Sequence, residues 1–349
     1  MSLRGEIEAE DQDIAAARVK QVRDENARLR RQLADTLADV DRLERITVYS
    51  GQGLKPPRWL ARPPKKGDKT ATLCSILSDC HFDEVVNPAE IGGRNAYDRA
   101  IADMRLERYF GSVVRLARDY LAGVTFDGVC LMLGGDLISG DIHDELSQTN
   151  QAQTLDTVLY WSGRIAAGIG LLADEFGSVH VPVVVGNHGR RSRKPRAKGR
   201  ARDNYDWLIG QLIARHFEAD KRVTFDIPDG TDALVHVHDT ALLLTHGDQV
   251  GGGGGIGGIW PPVMRMIAKK RTRYHFDAVV MGHWHQLIMA PAAGVIVNGS
   301  VKGEDEYAAI GGFTPERAQQ ALFTVAPGHG ITFSAPVFCD DPKAEGWGA

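Results

Sequence analysis

The pattern of hydrophobic and polar positions divides the chain into two parts. In the first part, apolar residues recur with heptad spacing, and no glycine or proline interrupts the run from Glu6 to Ser50. In the second part, short apolar runs alternate with longer amphipathic stretches. The first pattern is typical of one long helix, and the second is typical of an α/β domain.

The heptad segment predicts a coiled-coil arm over residues 1–46. Its a and d positions are occupied by Val19, Val22, Leu29, Leu33, Val40 and Leu43, with Asn26 at a and Thr36 at d. A buried Asn at an a position typically selects a two-stranded register, so we expect a parallel homodimer. The alternative is an amphipathic helix that lies on its own domain. The dense charge on the opposite face favours the coiled coil.

The remaining pattern predicts a linker, a domain and a tail. Residues 47–70 contain two proline pairs and several basic residues, which is typical of a semi-rigid linker. Beyond it, strands are predicted at 73–78, 129–134, 181–185, 223–226, 233–238 and 241–245, helices near 96–122, 150–175, 203–218 and 261–272, and mostly strands with glycine turns at 278–338. This order predicts two mixed β-sheets packed face to face and flanked by helices, over residues 71–338, with a tail at 339–349.

Five short polar motifs directly follow predicted buried strands. They are Asp79-Cys80-His81, Gly135-Asp136, Gly186-Asn187-His188, His246-Gly247-Asp248 and Gly282-His283-Trp284-His285. Because the carboxyl ends of parallel strands meet at one rim of a sheet, we expect these side chains to converge. Carboxylates and imidazoles suit Mn, Fe or Zn, and the missing thiolate cluster argues against a structural zinc site. The motifs therefore predict a catalytic metal centre.

The ordered motifs resemble those of the calcineurin-like metallophosphoesterase superfamily, over roughly residues 71–337. The resemblance implies an αββα sandwich with two divalent ions, Mn²⁺ first and Fe or Zn as alternatives. One ion would be held by Asp79, His81, Asp136 and His285, and the other by Asp136, Asn187, His246 and His283, with Asp136 bridging. His188 would face the leaving group. Two such cations clamp the oxygens of an in-line displacement and make a bridging hydroxide available near neutral pH.

The chain departs from the family pattern at two places. Gly189 stands where an Asp or Glu usually follows Gly-Asn-His, so the acid that would orient His188 is absent locally. Many members also carry an Asp or His soon after the Gly-Asp pair, whereas Asp141 and His143 come slightly later here. His143 either reaches the substrate or belongs to a surface loop.

A strongly basic run follows the candidate catalytic histidine. From Arg190 to Arg202, eight of thirteen residues are basic, in a chain of net charge −4. Such a strip would contact several phosphates at once, with Arg190, Arg191, Arg193 and Lys194 as candidate contacts, although a solvated loop is the simpler interpretation. A second basic stretch covers residues 265–273. Motif order and basic loops most resemble double-strand-break-repair exonucleases, so DNA is the expected substrate. A phosphomonoesterase or protein phosphatase and a non-catalytic dimeric scaffold are the alternatives.

The amino-acid composition narrows the classes of protein to which this chain could belong. Apolar residues make up 43% and charged residues 25% of the chain, and no apolar stretch approaches the roughly 20 residues of a bilayer span. The acidic start lacks the apolar region of a signal peptide, so we expect a cytoplasmic protein without membrane contact. The four cysteines lack CxxC spacing and are expected in the core. Cys80 lies between two candidate ligands but should point away from them.

Two further segments carry weaker expectations. Residues 251–258 are glycine apart from Ile256, but no P-loop pattern is present, so this segment is either a lid over the site or a linker. Asn298-Gly299-Ser300 is expected to form a turn beside the site, where it could contact the substrate.

Overall fold

The computed structural model describes residues 56–61, 70–251 and 258–346. The predicted arm over residues 1–46 and most of the predicted linker lie outside these ranges, so the coiled coil stays a prediction. The chain divides into two units, one formed by Gly53–Ile267 and His275–Ala349 and the other by Met1–Gln52 and Ala268–Tyr274. All residues of the candidate site belong to the first unit.

A six-stranded sheet forms the first layer. Its strands, in order across the sheet, are β11 (Gly330–Phe338), β10 (Gln319–Ala326), β1 (Thr70–Leu77), β2 (Thr125–Leu133), β3 (Val179–Pro182) and β4 (Val223–Asp226). Strands β1 to β4 run parallel, and β10 pairs antiparallel with both β1 and β11. The carboxyl ends of β1, β2 and β3 therefore lie at one edge of this sheet.

A five-stranded sheet forms the second layer. Its order is β5 (Asp232–Val237), β6 (Thr240–Thr245), β7 (Ala278–Met281), β9 (Val295–Val297) and β8 (Ile288–Ala290). Strands β6, β7 and β9 run parallel, while β5 and β8 pair antiparallel with their neighbours. Both sheets are mixed, as the sequence predicts.

Seven helices of the described residues connect or follow these strands. They are α1 (Arg99–Arg115, continued by a π turn over Leu116–Tyr120), α2 (Asp144–Thr149), α3 (Thr154–Phe176), α4 (Tyr205–His216), α5 (Trp260–Arg271), α6 (Glu306–Gly311) and α7 (Pro342–Glu345). Short 3-10 turns lie at Pro88–Glu90 and Pro291–Ala293. Side chains of Asp98 and Asn204 cap α1 and α4 by accepting backbone N–H groups, which satisfies donors that the helix leaves open. The four long helices lie within a few residues of the predicted ones.

Successive side chains of the central strands face opposite sides of the first sheet and so contribute to two hydrophobic cores. Leu73 and Leu77 of β1 pack in a cluster with side chains of α1 and α3, including Phe110 and Trp161. Cys74 and Ile76 face the other way and share a second cluster with residues of β5, β6 and β7. The first sheet therefore lies between helices and the second sheet, and the predicted fold class is confirmed.

The folded unit extends beyond the predicted domain limits at both ends. Leu60, inside the predicted linker, is fully buried in the cluster between the sheets, and its carbonyl accepts the N–H of His238 at 2.6 Å. Glu345, inside the predicted tail, bonds the fully buried Arg105 at 2.8 Å. Both segments are parts of the core structure. In the described ranges, no helix combines the length and apolarity that crossing a bilayer requires.

Candidate metal centre

The polar motifs lie where the parallel strands of both sheets end. Asp79 and Asp136 follow β1 and β2 of the first sheet, and His246 and His283 follow β6 and β7 of the second. Contacts join the two sheets at this edge, since Asp79 Oδ1 accepts the N–H of His283 at 2.8 Å. The predicted convergence of the strand ends is therefore present in the fold.

One group of candidate ligands consists of Asp79, His81 and His285, whose ligand atoms lie within 4.8 Å of one another. The Nε2 atoms of His81 and His285 are 3.1 Å apart, and His285 Nε2 lies 3.5 Å from Asp79 Oδ1. Asp79 is fully buried and His81 nearly so, while His285 is partly exposed. Three of the four residues expected around one ion are thus in place, with an open side toward solvent.

A second group consists of Asp136, His246 and His283, again with ligand atoms within 4.8 Å. His246 Nε2 lies 2.9 Å from Asp136 Oδ2. Asn187, the remaining expected ligand of this ion, has a buried Oδ1 without a hydrogen-bond partner among the described residues. Asp136 also belongs to a third group, with His81 and His188. It therefore lies between the two expected ion positions.

The donor set fits divalent cations. His246 donates Nδ1–H to the carbonyl of Gly134 at 2.9 Å, which leaves its buried Nε2 facing Asp136 and free to bind an ion once it gives up its proton. An imidazole fixed in this way is the usual form of a histidine ligand. Nitrogen ligands about 2.1 Å from one cation lie roughly 3 Å apart when they are adjacent, as His81 Nε2 and His285 Nε2 do. These residues can hold two divalent ions, and their carboxylate and imidazole donors suit Mn, Fe and Zn alike.

Five of the seven candidate ligands have left-handed backbone conformations. Their φ angles are 52° at Asp79, 48° at His81, 50° at Asp136, 73° at His283 and 51° at His285. This region is sparsely populated by residues other than glycine and costs roughly 1–3 kcal/mol per residue. The left-handed backbone conformation turns Asp79 and His81 toward the same site. Cys80, between them, packs in the apolar core, as predicted. The strain is concentrated where the chemistry is expected.

Glycines of the motifs allow the close approach of the carboxylates. A Cβ on Gly186 would lie 2.0 Å from Asp136 Oδ1, and a Cβ on Gly282 would lie 2.2 Å from Asp79 Oδ2. No side chain fits at either position without moving an aspartate. The glycines therefore determine where both aspartates sit.

Buried polar side chains hold Asp79 in place. Ser78 Oγ donates to Asp79 Oδ2 at 2.5 Å and accepts from Asn298 Nδ2 at 2.8 Å, while Ser300 Oγ donates to the Asp79 carbonyl at 2.8 Å. Asn298 and Ser300 are 0% and 2% exposed. The segment 298–300 lies beside the site, but it has no regular turn, and these two side chains support a ligand and are too buried to contact a substrate.

A buried charge cluster stands behind His81. Glu84 Oε2 lies 3.2 Å from His81 Nδ1, without the angle of a linear hydrogen bond, and Glu84 Oε1 accepts from Lys302 Nζ at 2.8 Å. Lys302 also donates to Asp305 at 2.5 Å. Burial opposes the charge on Glu84, but Lys302 and His81 outweigh it and hold the pKa of Glu84 well below its usual range. The carboxylate directs Nε2 of His81 toward the site.

The orientation of His188 comes from the backbone. Its Nδ1–H donates to the carbonyl of Ser139 at 2.8 Å, and its backbone N–H donates to Asp136 Oδ1 at 2.6 Å. The ring lies 4.4 Å from that of His81, centroid to centroid. The orienting acid that Gly189 leaves out is therefore replaced, for His188 itself, by a peptide carbonyl.

The pKa values of the buried groups in the site are shifted in different directions. Burial opposes protonation of His246, but the adjacent Asp136 carboxylate dominates and raises its pKa to about 10 in the metal-free protein. Burial lowers the pKa of His283 to about 4. Burial and the nearby charge of Asp136 raise the pKa of Asp206 to about 6. The concentrated negative charge favours cations at this edge.

The predicted substrate contacts occupy different environments. His143 is exposed, and its ring lies 5.9 Å from that of His188, so it is beside the site. Arg190 donates its guanidinium to the carbonyls of Asn187, Ser192 and Arg193 at 2.9–3.0 Å. It braces the loop through these three bonds. Arg191, Arg193 and Lys194 are exposed.

Most arginines of the basic run have carboxylate partners. Arg191 and Arg196 pair with Asp203, Arg193 with Asp144, Arg200 with Asp248, and Arg202 with Asp229. Arg200 and Asp248 line a pocket that also contains Gly186 and Arg190. The run is less positive than its composition indicates.

Sequence reasoning missed several residues that support the ligands. Glu84, Asp206 and Lys302 belong to no motif, and nothing in the local sequence distinguishes them from surface charges. The only signal for Glu84 is its position three residues after His81, within reach of the same turn.

No protein-family model and no curated protein matches this chain. Solved structures with some likeness include Vacuolar Protein Sorting 29 from Cryptosporidium parvum, at 14% identity over 76% of this chain and 96% of that one, with a TM-score of 0.32. A predicted phosphoesterase from Streptococcus pneumoniae TIGR4 is 11% identical over 76% of this chain and 97% of that one, with a TM-score of 0.28. The sulfate thiohydrolase SoxB of Thermus thermophilus is 13% identical over 82% and 60%, with a TM-score of 0.29. Likenesses this low lend no support to a function, which depends on the geometry of the site.

Proposed function

We propose that this protein is a metal-dependent phosphoester hydrolase that cleaves phosphodiesters, with DNA as its substrate. The observation that carries the proposal is the position of Asp136 in two ligand groups, one with His246 and His283 and one with His81 and His188. Two divalent cations at such a site stabilise both the attacking and the leaving oxygen of an in-line phosphoryl displacement.

His188 is the group that acts on the leaving oxygen. Because its Nδ1–H is held by the Ser139 carbonyl, its Nε2 is available to the reaction. Protonated at Nε2, the ring passes this proton to the departing oxygen or stabilises its charge, which typically contributes 10² to 10⁴ in rate. Burial lowers the pKa of His188, and a substrate phosphate beside the ring would favour the charged form.

The basic run after His188 supports a polyanionic substrate. Arg191, Arg193 and Lys194 are exposed and begin three residues after His188. Arg191 and Arg193 are paired with Asp203 and Asp144, but exposed ion pairs are typically worth about 0–1 kcal/mol. DNA phosphates can therefore replace the carboxylates. Arg190, braced by three carbonyls, is expected to shape the loop and leave phosphate contacts to its neighbours.

The same ion pairs favour a phosphomonoesterase as the second candidate. Five of the six arginines in the run, all except Arg190, have a carboxylate partner. This lowers the positive charge available to a long polyanion and is compatible with a substrate that carries one phosphate.

The predicted arm adds a proposal about assembly. A homodimer through residues 1–46 would place two sites on one scaffold, and engaging both would raise the apparent affinity for long DNA through effective concentration. Deletion of residues 1–46 should then leave cleavage of a small phosphodiester unchanged and weaken the processing of long DNA. If the deletion changes the kinetics on neither substrate, the arm has no part in this role.

A comparison of two chromogenic substrates tests the function. With Mn²⁺ present, we expect faster cleavage of bis-p-nitrophenyl phosphate than of p-nitrophenyl phosphate, and inhibition by DNA. A monoester preference that DNA does not affect would favour the second candidate. No turnover with any divalent metal would refute both and favour a scaffold.

A charge-matched pair of variants tests the substrate class. The triple variant Arg191→Gln, Arg193→Gln, Lys194→Gln should raise the KM for DNA and leave that for bis-p-nitrophenyl phosphate unchanged. The control is Arg118→Gln, Lys221→Gln, Arg222→Gln, which removes the same charge from exposed residues outside the run. An equal effect of both triple variants would mean that only net charge matters.

A further inference from the structure

The two loops that carry Asp136 and Asn187 are joined by one carboxylate that belongs to neither. Asp206, fully buried in the first turn of α4, accepts the backbone N–H groups of Asp136 at 3.0 Å, Leu137 at 3.1 Å and Gly186 at 2.9 Å. The first two donors follow β2, and the third follows β3. A single side chain thus bonds both ligand loops.

The start of α4 holds the second loop from several directions. Asn204 Nδ2 donates to the Gly186 carbonyl at 2.8 Å, while Asn204 Oδ1 accepts the N–H of Asp206 at 2.8 Å. The N–H of Tyr205 donates to the Gly189 carbonyl at 2.7 Å. Residues at one helix terminus therefore bond both the N–H and the C=O of Gly186, which fixes the orientation of its backbone.

Gly189 leaves the space that this arrangement needs. A Cβ at Gly189 would lie 2.3 Å from Asn204 Oδ1 and 3.0 Å from Asp206 Oδ2. An acidic side chain at position 189 would enter the volume that Asp206 fills. Position 189 can therefore carry no acid while Asp206 occupies this space.

We propose that Asp206 is the positioning residue that sets the separation of the Asp136 loop and the Asn187 loop, and thereby the affinity of the shared metal centre. Its two oxygens accept all three N–H donors, so it holds the two loops at a fixed separation without being a ligand itself. Both Asp136, expected to be shared, and Asn187, expected to serve one ion, depend on it. The inference rests on the proposed function only through the metal centre, and it is independent of the substrate.

Two variants of Asp206 and a matched control test this role. Asp206→Ala removes all three acceptors. Asp206→Asn keeps an oxygen for the Asp136 and Gly186 donors and places an amide against Leu137. The control is Asp98→Ala, which removes an acid that accepts the Ile101 N–H at the start of α1, away from the ligand loops. Each protein is checked for native circular dichroism before measurement.

The first readout is Mn²⁺ binding by isothermal titration calorimetry. We expect Asp206→Ala to bind Mn²⁺ about 10 to 100 times more weakly than the natural protein, the usual effect of losing a group that orients ligands, and Asp206→Asn to fall between them. Asp98→Ala should bind normally even if it is less stable. Unchanged affinity in folded Asp206→Ala would overturn the proposal, and if that variant does not fold, unchanged affinity in Asp206→Asn would do so.

The second readout needs no metal. Amide hydrogen exchange of the metal-free protein should quicken at 134–138 and 185–189 in the Asp206 variants and stay unchanged there in Asp98→Ala. Faster exchange over the whole chain would instead assign Asp206 a merely structural role. A natural protein that binds Mn²⁺ but cleaves no phosphoester would refute the proposed function and leave this test intact.

Discussion

The Nε2 atoms of His81 and His285 lie 3.1 Å apart, although the two rings come from different sheets. Two unprotonated imidazole nitrogens at this distance repel each other, so the arrangement needs either a shared proton or a cation between the rings. The buried carboxylate of Asp79, 3.5 Å from His285 Nε2, stabilises positive charge between the rings, which a bound divalent ion would supply. We therefore expect a bound ion to stabilise the fold.

Metal removal should therefore destabilise the fold. At a free Mn²⁺ concentration about 100 times the dissociation constant, binding to the native state adds about 2.7 kcal/mol, which raises the Tm of a protein of this size by roughly 4–5 °C. Differential scanning fluorimetry with and without a chelator measures this change. Asp136→Ala is the control, since its Tm should not respond to Mn²⁺.

Asp136→Ala should lose both ions. Because Asp136 belongs to groups on both sides of the site, its removal takes a ligand from each. Elemental analysis of purified protein should find about two ions per chain in the natural protein and close to none in the variant. The exposed Asp229→Ala is the control. One fully retained ion would show that Asp136 serves a single position.

His188→Ala should keep the metals and lose turnover. We expect kcat to fall by about 10² to 10⁴ while the metal content stays normal, since the ring acts on the leaving group. His188 also forms a group with His81 and Asp136, so the measurement is decisive. A loss of metal as large as in Asp136→Ala would make His188 a ligand instead.

Gly186→Ala should disable the site through one methyl group. Its Cβ would lie 2.0 Å from Asp136 Oδ1, so the aspartate or the loop must move. We expect Mn²⁺ affinity to fall at least about tenfold, as for other displaced ligands. Gly163→Ala is the matched control, because nothing lies within 4 Å of its added Cβ, and it should stabilise helix α3 by about 0.4–1 kcal/mol.

His180 should make the fold acid-sensitive independently of the metals. Burial lowers its pKa to about 4, whereas an unfolded histidine titrates near 6.5. Between these values the unfolded chain binds the extra proton, so this contribution to stability is complete above pH ~6.5 and is lost as the pH falls toward ~4. Urea unfolding of metal-free protein should show a loss on the order of 2–3 kcal/mol over this range.

The matched variants for this test are His180→Gln and His329→Gln. The first removes the buried titrating ring beside Thr224, and the second removes an exposed histidine. His180→Gln should flatten the pH profile, and His329→Gln should leave it unchanged. Parallel profiles for all three proteins would show that other groups cause the acid sensitivity.

The sequence predicts the fold class and the convergence of the ligands because both depend on strands. Asp79, Asp136 and His246 directly follow apolar runs, and parallel pairing brings such positions to one edge. The supporting groups could not be predicted in this way. Asp206 reaches the site from the first turn of a helix, Lys302 through a buried ion pair, and Ser139 through its carbonyl, and none of these contacts leaves a periodic or motif signal.

The basic run shows a different limit of sequence reasoning. Composition counts charges, but the effect of a charge depends on its partners in space. Arg190 and Arg200 are partly buried, the first bonded to carbonyls of its own loop and the second paired with Asp248, while Arg191 and Arg193 remain exposed. Only the fold separates arginines that build the surface from arginines that can meet a phosphate.

The burial of Leu60 sets a practical limit on shortening the protein at its amino-terminal side. A version that begins at residue 70, where the first regular strand starts, would leave a leucine-sized cavity between the two sheets, and losses of this kind typically amount to about 2–5 kcal/mol. Removing only residues 1–46 keeps Leu60 in the core, so any change in the shortened protein can be attributed to the arm.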